Sequence, residues 1–298
     1  MTQLAEHETV EVSPELEHKA EREKARRGFF TALPSFLYLI FFFAIPLLVV
    51  FVFSFASRSR TGRPLLEDWN LDSWSNILDP LVAGIAWRSL WLAVINTALC
   101  LLIGYPFAYW IATRRRVATR NLLLVLVLIP FWSNFLVRTY AWRTLLDADG
   151  LITRFGEATG LWGQLLFTIP AVFIGLLYGY LPFMVLPLYA AIERIDWSLV
   201  EAARDLYASG SDAFRRVTLP LSRPGIVAGS ILVFIPSLGA YVTPDILGGA
   251  RTTLLGNYIV SQFGAARNWP FGAALSSTIL AVMLIATIYY FRSGARTL

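Results

Sequence analysis

The chain has 298 residues, of which 56% are hydrophobic and only 15% charged, with a net charge of +5. Its apolar residues fall in long blocks, the composition of a membrane protein and not of a soluble domain. The basic residues flank those blocks, where they orient spans, so the positive balance does not point to nucleic acid.

The absences are as informative. The only histidines, His7 and His18, and the only lysines, Lys19 and Lys24, lie in the N-terminal tail. An ATP-binding phosphate loop needs a lysine beside glycine-rich backbone, so no such loop exists beyond residue 24. The single cysteine, Cys100, sits inside an apolar block, which leaves no disulfide framework and no His/Cys metal site.

Residues 1–28 form a charged tail, and Met1–Arg27 mixes seven Glu with five basic residues. It reads as a solvated segment or a surface helix on the cytoplasmic side. Residues 29–298 form the membrane domain. A helix crossing about 30 Å of hydrocarbon needs about 20 apolar residues. Six blocks qualify: Phe29–Phe55, Ser89–Ala112, Asn121–Leu145, Phe167–Ile192, Gly225–Leu247 and Ala273–Phe291. The first is too long, and its Glu-rich lead too acidic, for a cleavable signal.

With the N-terminus inside, 16 of the 25 basic residues fall on the cytoplasmic side, among them Arg114, Arg115, Arg116, Arg120 and Arg296. That bias predicts an all-α protein of six spans with both termini in the cytoplasm. Trp87, Trp91, Trp142, Trp162 and Trp269 then fall near the outer interface.

Between the fourth and fifth spans, residues 193–224 are too polar to span and too patterned for a slack loop. Ser198 and Glu201 have capping-box spacing, which predicts a helix start. Leu199, Ala203, Leu206 and Tyr207 recur on one helical face. Gly210 is expected to end this helix in a left-handed turn, and Ser211 to cap a second helix running through Val217. Pro220 and Pro224 stop that helix and launch the next span.

Glu201-Ala202-Ala203 followed by Leu219-Pro220 resembles the EAA motif of ABC importer permeases. The resemblance implies the type I importer permease fold. It also implies a coupling helix docked in a groove of a cytoplasmic ATPase, with contacts from Glu201, Ala202, Ala203, Asp205, Leu206, Tyr207, Gly210, Phe214, Leu219 and Pro220. The family commonly carries Gly at the slot of Tyr207. The sequence reading is a turn shifted to Gly210.

Three further stretches resemble the spermidine/putrescine permeases of that family: Ile129–Trp142, Ala240–Gly249 and Asn268–Ser276. The resemblance implies import of polyamines or similar small amino compounds across a bacterial cytoplasmic (inner) membrane. The implied assembly has a second permease, two ATPase subunits that bind ATP and Mg, and a periplasmic substrate-binding protein. The chain itself carries no cofactor and no catalytic residue in this reading. A secondary transporter or channel is the competing class, and acid-poor spans argue against proton coupling. An intramembrane enzyme is disfavoured by the lone Cys100 without a base.

The residues themselves suggest an aromatic path. Trp132, Tyr140, Trp142, Tyr180, Phe183 and Tyr241 offer ring faces to a cation, with Asn134 and Asp245 as polar members. Asp245 is the only acidic residue in the six blocks. Arg138 and Arg143 sit near this path. They pair with Asp147 or Asp149, gate the outer mouth, snorkel to headgroups, or attract an anionic group on the cargo. Finally, Leu254, Leu255, Tyr258, Ile259 and Phe263 predict an amphipathic helix on the outer surface, as a gate or an anchor.

Overall fold

The computed structural model describes residues 14–59, 62 and 64–294. The first thirteen residues of the tail, with His7, and the C-terminal stretch holding Arg296 lie outside the described residues.

Helix α1 (Pro14–Leu39) runs from the tail directly into the first apolar block. It joins α2 (Ile45–Phe53) through a widened π-helical turn at Ile40–Ala44. Pro46 has no N–H for the preceding turn, which accounts for the widening. The window Gly28–Phe53 buries none of its residues against the rest of the chain. A hairpin that no apolar run announced follows, β1 (Ala56–Arg58) antiparallel to β2 (Pro64–Trp69). Arg58 ties it to the far end of the chain by donating to the Ala266 carbonyl at 2.6 Å.

After the one-turn α3 (Asp72–Ser75), helix α4 spans Pro80–Ala112, starting well before the expected Ser89. Asp79 caps it by accepting from the Leu81 N–H at 2.8 Å. The expected third span is not one helix. It divides into α5 (Val117–Trp132) and α6 (Phe135–Leu146), and the chain from Phe135 to Thr159 departs at 87°. Pro130 weakens the end of α5, and Asn134 restarts the helix by accepting from the N–H of Leu136 at 2.8 Å. Helix α5 alone is about 24 Å long at 1.5 Å per residue. Helix α6 therefore turns across that direction and does not extend it. Helix α7 (Leu151–Thr159) ends at Gly160, whose φ is +70°.

Helix α8 covers Ile169–Glu193. Three short helices follow, α9 (Ser198–Asp205), α10 (Gly210–Ala213) and α11 (Leu219–Leu221), the last two joined by a π-helical turn. The Gly210–Leu221 stretch meets α12 (Arg223–Leu238) at 62°, a bend that lies before the expected fifth span, and α12 ends at Leu238, short of the expected Leu247. A π-helical turn at Pro244–Gly248, then α13 (Leu255–Phe263) and α14 (Trp269–Gly294), complete the chain. Four helices are long and apolar enough to cross a membrane, or six if each bent pair counts as one span. This is a multi-pass, mostly helical membrane protein.

The core is the packing of α4, α8 and α12 around Cys100, Ile111, Met184, Leu188, Ile192 and Val233, all buried. Glycines let the helices approach. A Cβ on Gly225 would lie 2.5 Å from that of Ala191, and one on Gly229 would meet Met184 Sδ at 2.8 Å. With no aqueous hydrophobic effect between spans, such close contact carries the association. Polar contacts add specificity. Asn96 Nδ2 donates to Ser237 Oγ at 2.8 Å, and the hydroxyls of Tyr105 and Ser222 meet at 2.9 Å. Arg120 at the start of α5 binds Glu193 at the end of α8 at 2.8 Å.

Candidate coupling surface and substrate path

The segment from α9 to α11 folds as a two-part lever braced on α4. Phe214 packs edge-on against Tyr105 and Tyr109, with ring centroids 5.7 and 5.9 Å apart. Trp197 adds a third edge contact to Tyr109 at 6.2 Å. Val200 and Ala213 are buried beneath the lever. The apolar face expected from Leu199, Ala203, Leu206 and Tyr207 does not supply this brace. Leu199 is exposed, Leu206 is 81% exposed and Tyr207 99% exposed. Glu201, Ala202 and Asp205 are exposed too, whereas Ala203, Leu219 and Pro220 are half-buried and Phe214 points inward. The lever thus has an inner face fixed to the bundle and an outer face of Leu199, Leu206 and Tyr207 left open.

Its caps differ from the expected ones. Asp196, not Ser198, holds the start of α9 by accepting from the Ser198 N–H at 3.0 Å. These hydrogen bonds from Ser198 hold the Asp196 carboxyl below its ordinary range. Ser209, not Ser211, caps α10: its Oγ accepts from the Asp212 N–H at 3.1 Å and donates back to that carboxylate at 2.5 Å. The Ser209 hydrogen bond, helped by Arg216 and Arg215, likewise lowers the Asp212 carboxyl.

The turn is not shifted to Gly210. Tyr207 itself is left-handed, with φ +62°, and no left-handed φ occurs at Gly210. The Ala208 N–H bonds the Ala203 carbonyl at 3.1 Å and the Tyr207 N–H that of Arg204 at 2.9 Å. Those two bonds are the Schellman pattern, which normally places Gly at this position. The slot keeps its geometry and Tyr carries the strain.

The aromatic path residues separate into different places. Tyr180 and Phe183 line a cavity of about 360 Å³ with Phe131, Arg138 and Thr243. Trp142 is half-buried and packed against Tyr178, with ring centroids 5.4 Å apart. Trp132 is 79% exposed and Tyr140 is also exposed. Asn134 serves as the cap of α6. Tyr241 borders an apolar groove with Ile235 and Met283, and Asp245 lines a separate cleft with Arg88.

Arg138 pairs with neither Asp147 nor Asp149. Its Nη1 donates to the Pro130 carbonyl at 2.9 Å, and its guanidinium lies over Phe135 and Tyr178 at 5.7 and 5.6 Å. A cation at the carbonyl end of α5 is favoured by the helix dipole. Ser133 closes the same end by donating to that carbonyl at 2.7 Å. Asp149 binds Arg154 at 3.3 Å and Asp147 accepts from the Ala148 N–H, so Arg143 has no ion pair among the described residues. Sequence reasoning missed the Arg120–Glu193 pair and the capping role of Arg138. The Pro130-to-Asn134 break was the available signal for the latter.

Membrane-length helices packed on glycine contacts, with a braced lever presenting an open apolar face, define a helical transport permease. Residues 104–296 match the family described as binding-protein-dependent transport system inner membrane component, and the chain belongs to that family. It is 42% identical over 262 residues to the spermidine/putrescine transport system permease protein PotB of Haemophilus influenzae, covering 87% of this chain and 91% of that one. It is 41% identical over 260 residues to PotB of Escherichia coli K12, covering 86% and 94%. Its fold matches a bacterial ABC transporter involved in the import of the acidic polysaccharide alginate, with TM-score 0.69, 17% identity and 95% and 99% of the two chains covered.

Proposed function

We propose that this chain is a permease subunit of an ATP-driven importer in a bacterial cytoplasmic membrane, with spermidine, putrescine or a related small amine as cargo. The cargo assignment is supported by the named activity of relatives above 40% identity across most of the chain. In this reading the chain crosses the membrane six times with both termini inside, α5 making the third crossing with α6 at its outer end, and α12 the fifth. It pairs with a second permease, two ATPase subunits and a periplasmic substrate-binding protein. ATP and Mg are bound and ATP hydrolysed by the ATPase, not by this chain.

One observation carries the coupling role: the apolar face of α9 looks away from the bundle. Leu206 and Tyr207 are more exposed than an unpartnered cytoplasmic helix would favour. An ATPase groove that takes Leu199, Leu206 and Tyr207 removes that surface from water. Glu201, in the first turn and exposed, is free to pair with a partner cation. Closure of the ATPase dimer then pushes on α9. Phe214 passes the displacement to Tyr105 and Tyr109 on α4, and Leu219-Pro220 passes it to α12.

The test is a pair of charges on that face, Leu199→Asp with Leu206→Asp. Both side chains are exposed, so the permease stays folded and inserted. ATPase co-purification and ATP-dependent uptake are both expected to be lost. Retention of both sinks the coupling assignment.

A further inference from the structure

The outer end of the fold holds a cleft that coupling does not use. It has a volume of about 730 Å³ and lies between the first turns of α4, the Pro244–Gly248 turn and α13. Small-molecule sites fall in the range of about 300–1,000 Å³. Helix α4 is about 50 Å long at 1.5 Å per residue, against about 30 Å of hydrocarbon. In the proposed orientation its first turns, with Arg88, therefore stand beyond the outer boundary.

Apart from Arg88 and the Tyr258 hydroxyl, the hydrogen-bonding capacity of the cleft is that of acceptors. The Thr253 hydroxyl donates to the Ala250 carbonyl at 3.2 Å, and the Ser261 hydroxyl to the Tyr258 carbonyl at 2.7 Å. Asn257 Nδ2 donates to the Tyr241 carbonyl at 2.8 Å, while its Oδ1 is buried with no partner at all. These side chains all line the cleft. The two hydroxyls have engaged their only donor on backbone and retain acceptor lone pairs. A buried acceptor without a donor is rare in native structures and marks a place where something is missing. Asp245 adds a carboxylate, an acceptor only, and it forms no ion pair among the described residues.

The acceptors of Thr253, Asn257 and Ser261 beside the Asp245 carboxylate fit a ligand group that donates and does not accept. An ammonium group has three donors and no acceptor. We infer that this cleft is an ammonium subsite at the outer mouth, in which Asp245, Asn257 Oδ1 and the hydroxyls of Thr253 and Ser261 receive one amino group of the cargo. The inference rests on the amine cargo proposed above. Arg88 lines the same cleft without an ion pair among the described residues. Its guanidinium opposes the incoming cation and keeps the site weak, as a site that must release onward requires.

The experiment uses the assembled complex with its binding protein in proteoliposomes and measures initial uptake of radiolabelled spermidine and putrescine. Asp245→Asn is expected to raise KM by about 10-fold or more, the loss of one charge-assisted hydrogen bond, with kcat retained. Asp245→Glu keeps the carboxylate and is expected to raise KM far less. Arg88→Gln is expected to lower KM on its own. An unchanged KM in Asp245→Asn overturns the inference. So does an equal rise in Asp245→Glu, because loss of charge is then not its cause. If the wild-type complex imports neither amine, the cargo assignment fails and the subsite falls with it. Uptake with an unmoved KM rejects the subsite alone.

Discussion

Tyr207→Gly should tighten the lever. The Tyr207 side chain is 99% exposed, so its removal breaks no contact within this chain. Its backbone is left-handed at φ +62°, a conformation that costs a non-glycine residue about 1–2 kcal/mol. Glycine relieves that strain but gains unfolded-state freedom worth about 0.4–1 kcal/mol. The net is about 0–1.6 kcal/mol, with a midpoint of about 0.8 kcal/mol, in favour of the closed turn. Opening of the Ala208 N–H from the Ala203 carbonyl should become about 2–5 times rarer. Hydrogen exchange over residues 203–210, on the permease without its ATPase, reads this directly. Tyr207→Val should move exchange the other way, since a β-branched residue tolerates positive φ least. Exchange unchanged or faster in Tyr207→Gly would refute the strained-turn account.

Further outcomes follow from other contacts. Ser89→Ala removes the acceptor of the buried Leu255 N–H, now bonded at 2.7 Å, and should cost about 1–3 kcal/mol. Faster exchange confined to Leu255–Phe263 is its signature. Glu193→Ala strips Arg120 of its carboxylate, leaving a half-buried guanidinium whose Nε already lacks a partner. A lowered thermal midpoint in detergent, reversed by Glu193→Asp, is expected. Glu201→Lys should weaken ATPase co-purification while size-exclusion behaviour of the permease stays unchanged. The depressed carboxyls of Asp196 and Asp212 stabilise the lever above the ordinary carboxylate range. That contribution is lost only as pH falls through their lowered values. Lever exchange, corrected for intrinsic rates, should hold steady down to about pH 4 and rise below it.

The apolar blocks made the spans legible because hydropathy reports contact with lipid or core whatever the direction of the chain. The same property hid the break at Ser133-Asn134. An apolar run continues through it, so only Pro130 and the capping residue Asn134 signalled that α6 turns away. The lever was legible as two helices and a turn, yet its caps were displaced by two residues. Asp196 and Ser209 compete with Ser198 and Ser211 for the same N–H groups, and local propensity ranks them alike. The turn was misread because residue preference pointed to Gly210, whereas two Schellman hydrogen bonds force Tyr207 into the left-handed region. The path residues fared worst. Trp142 and Tyr180 look alike in sequence, and only packing between distant helices decides that one meets Tyr178 and the other a cavity. The cleft was out of reach for the same reason, since Arg88 and Asn257 come together through non-local contacts of α4 and α13.

The central claim is that this chain moves its cargo only when a partner ATPase works on α9. Proteoliposomes holding the complete complex, loaded with ATP and Mg and given radiolabelled spermidine with the binding protein outside, test it most directly. The account predicts uptake that stops when the ATPase is omitted or ATP is replaced by a non-hydrolysable analogue. Uptake that persists without the ATPase, driven by an ion gradient alone, would contradict it.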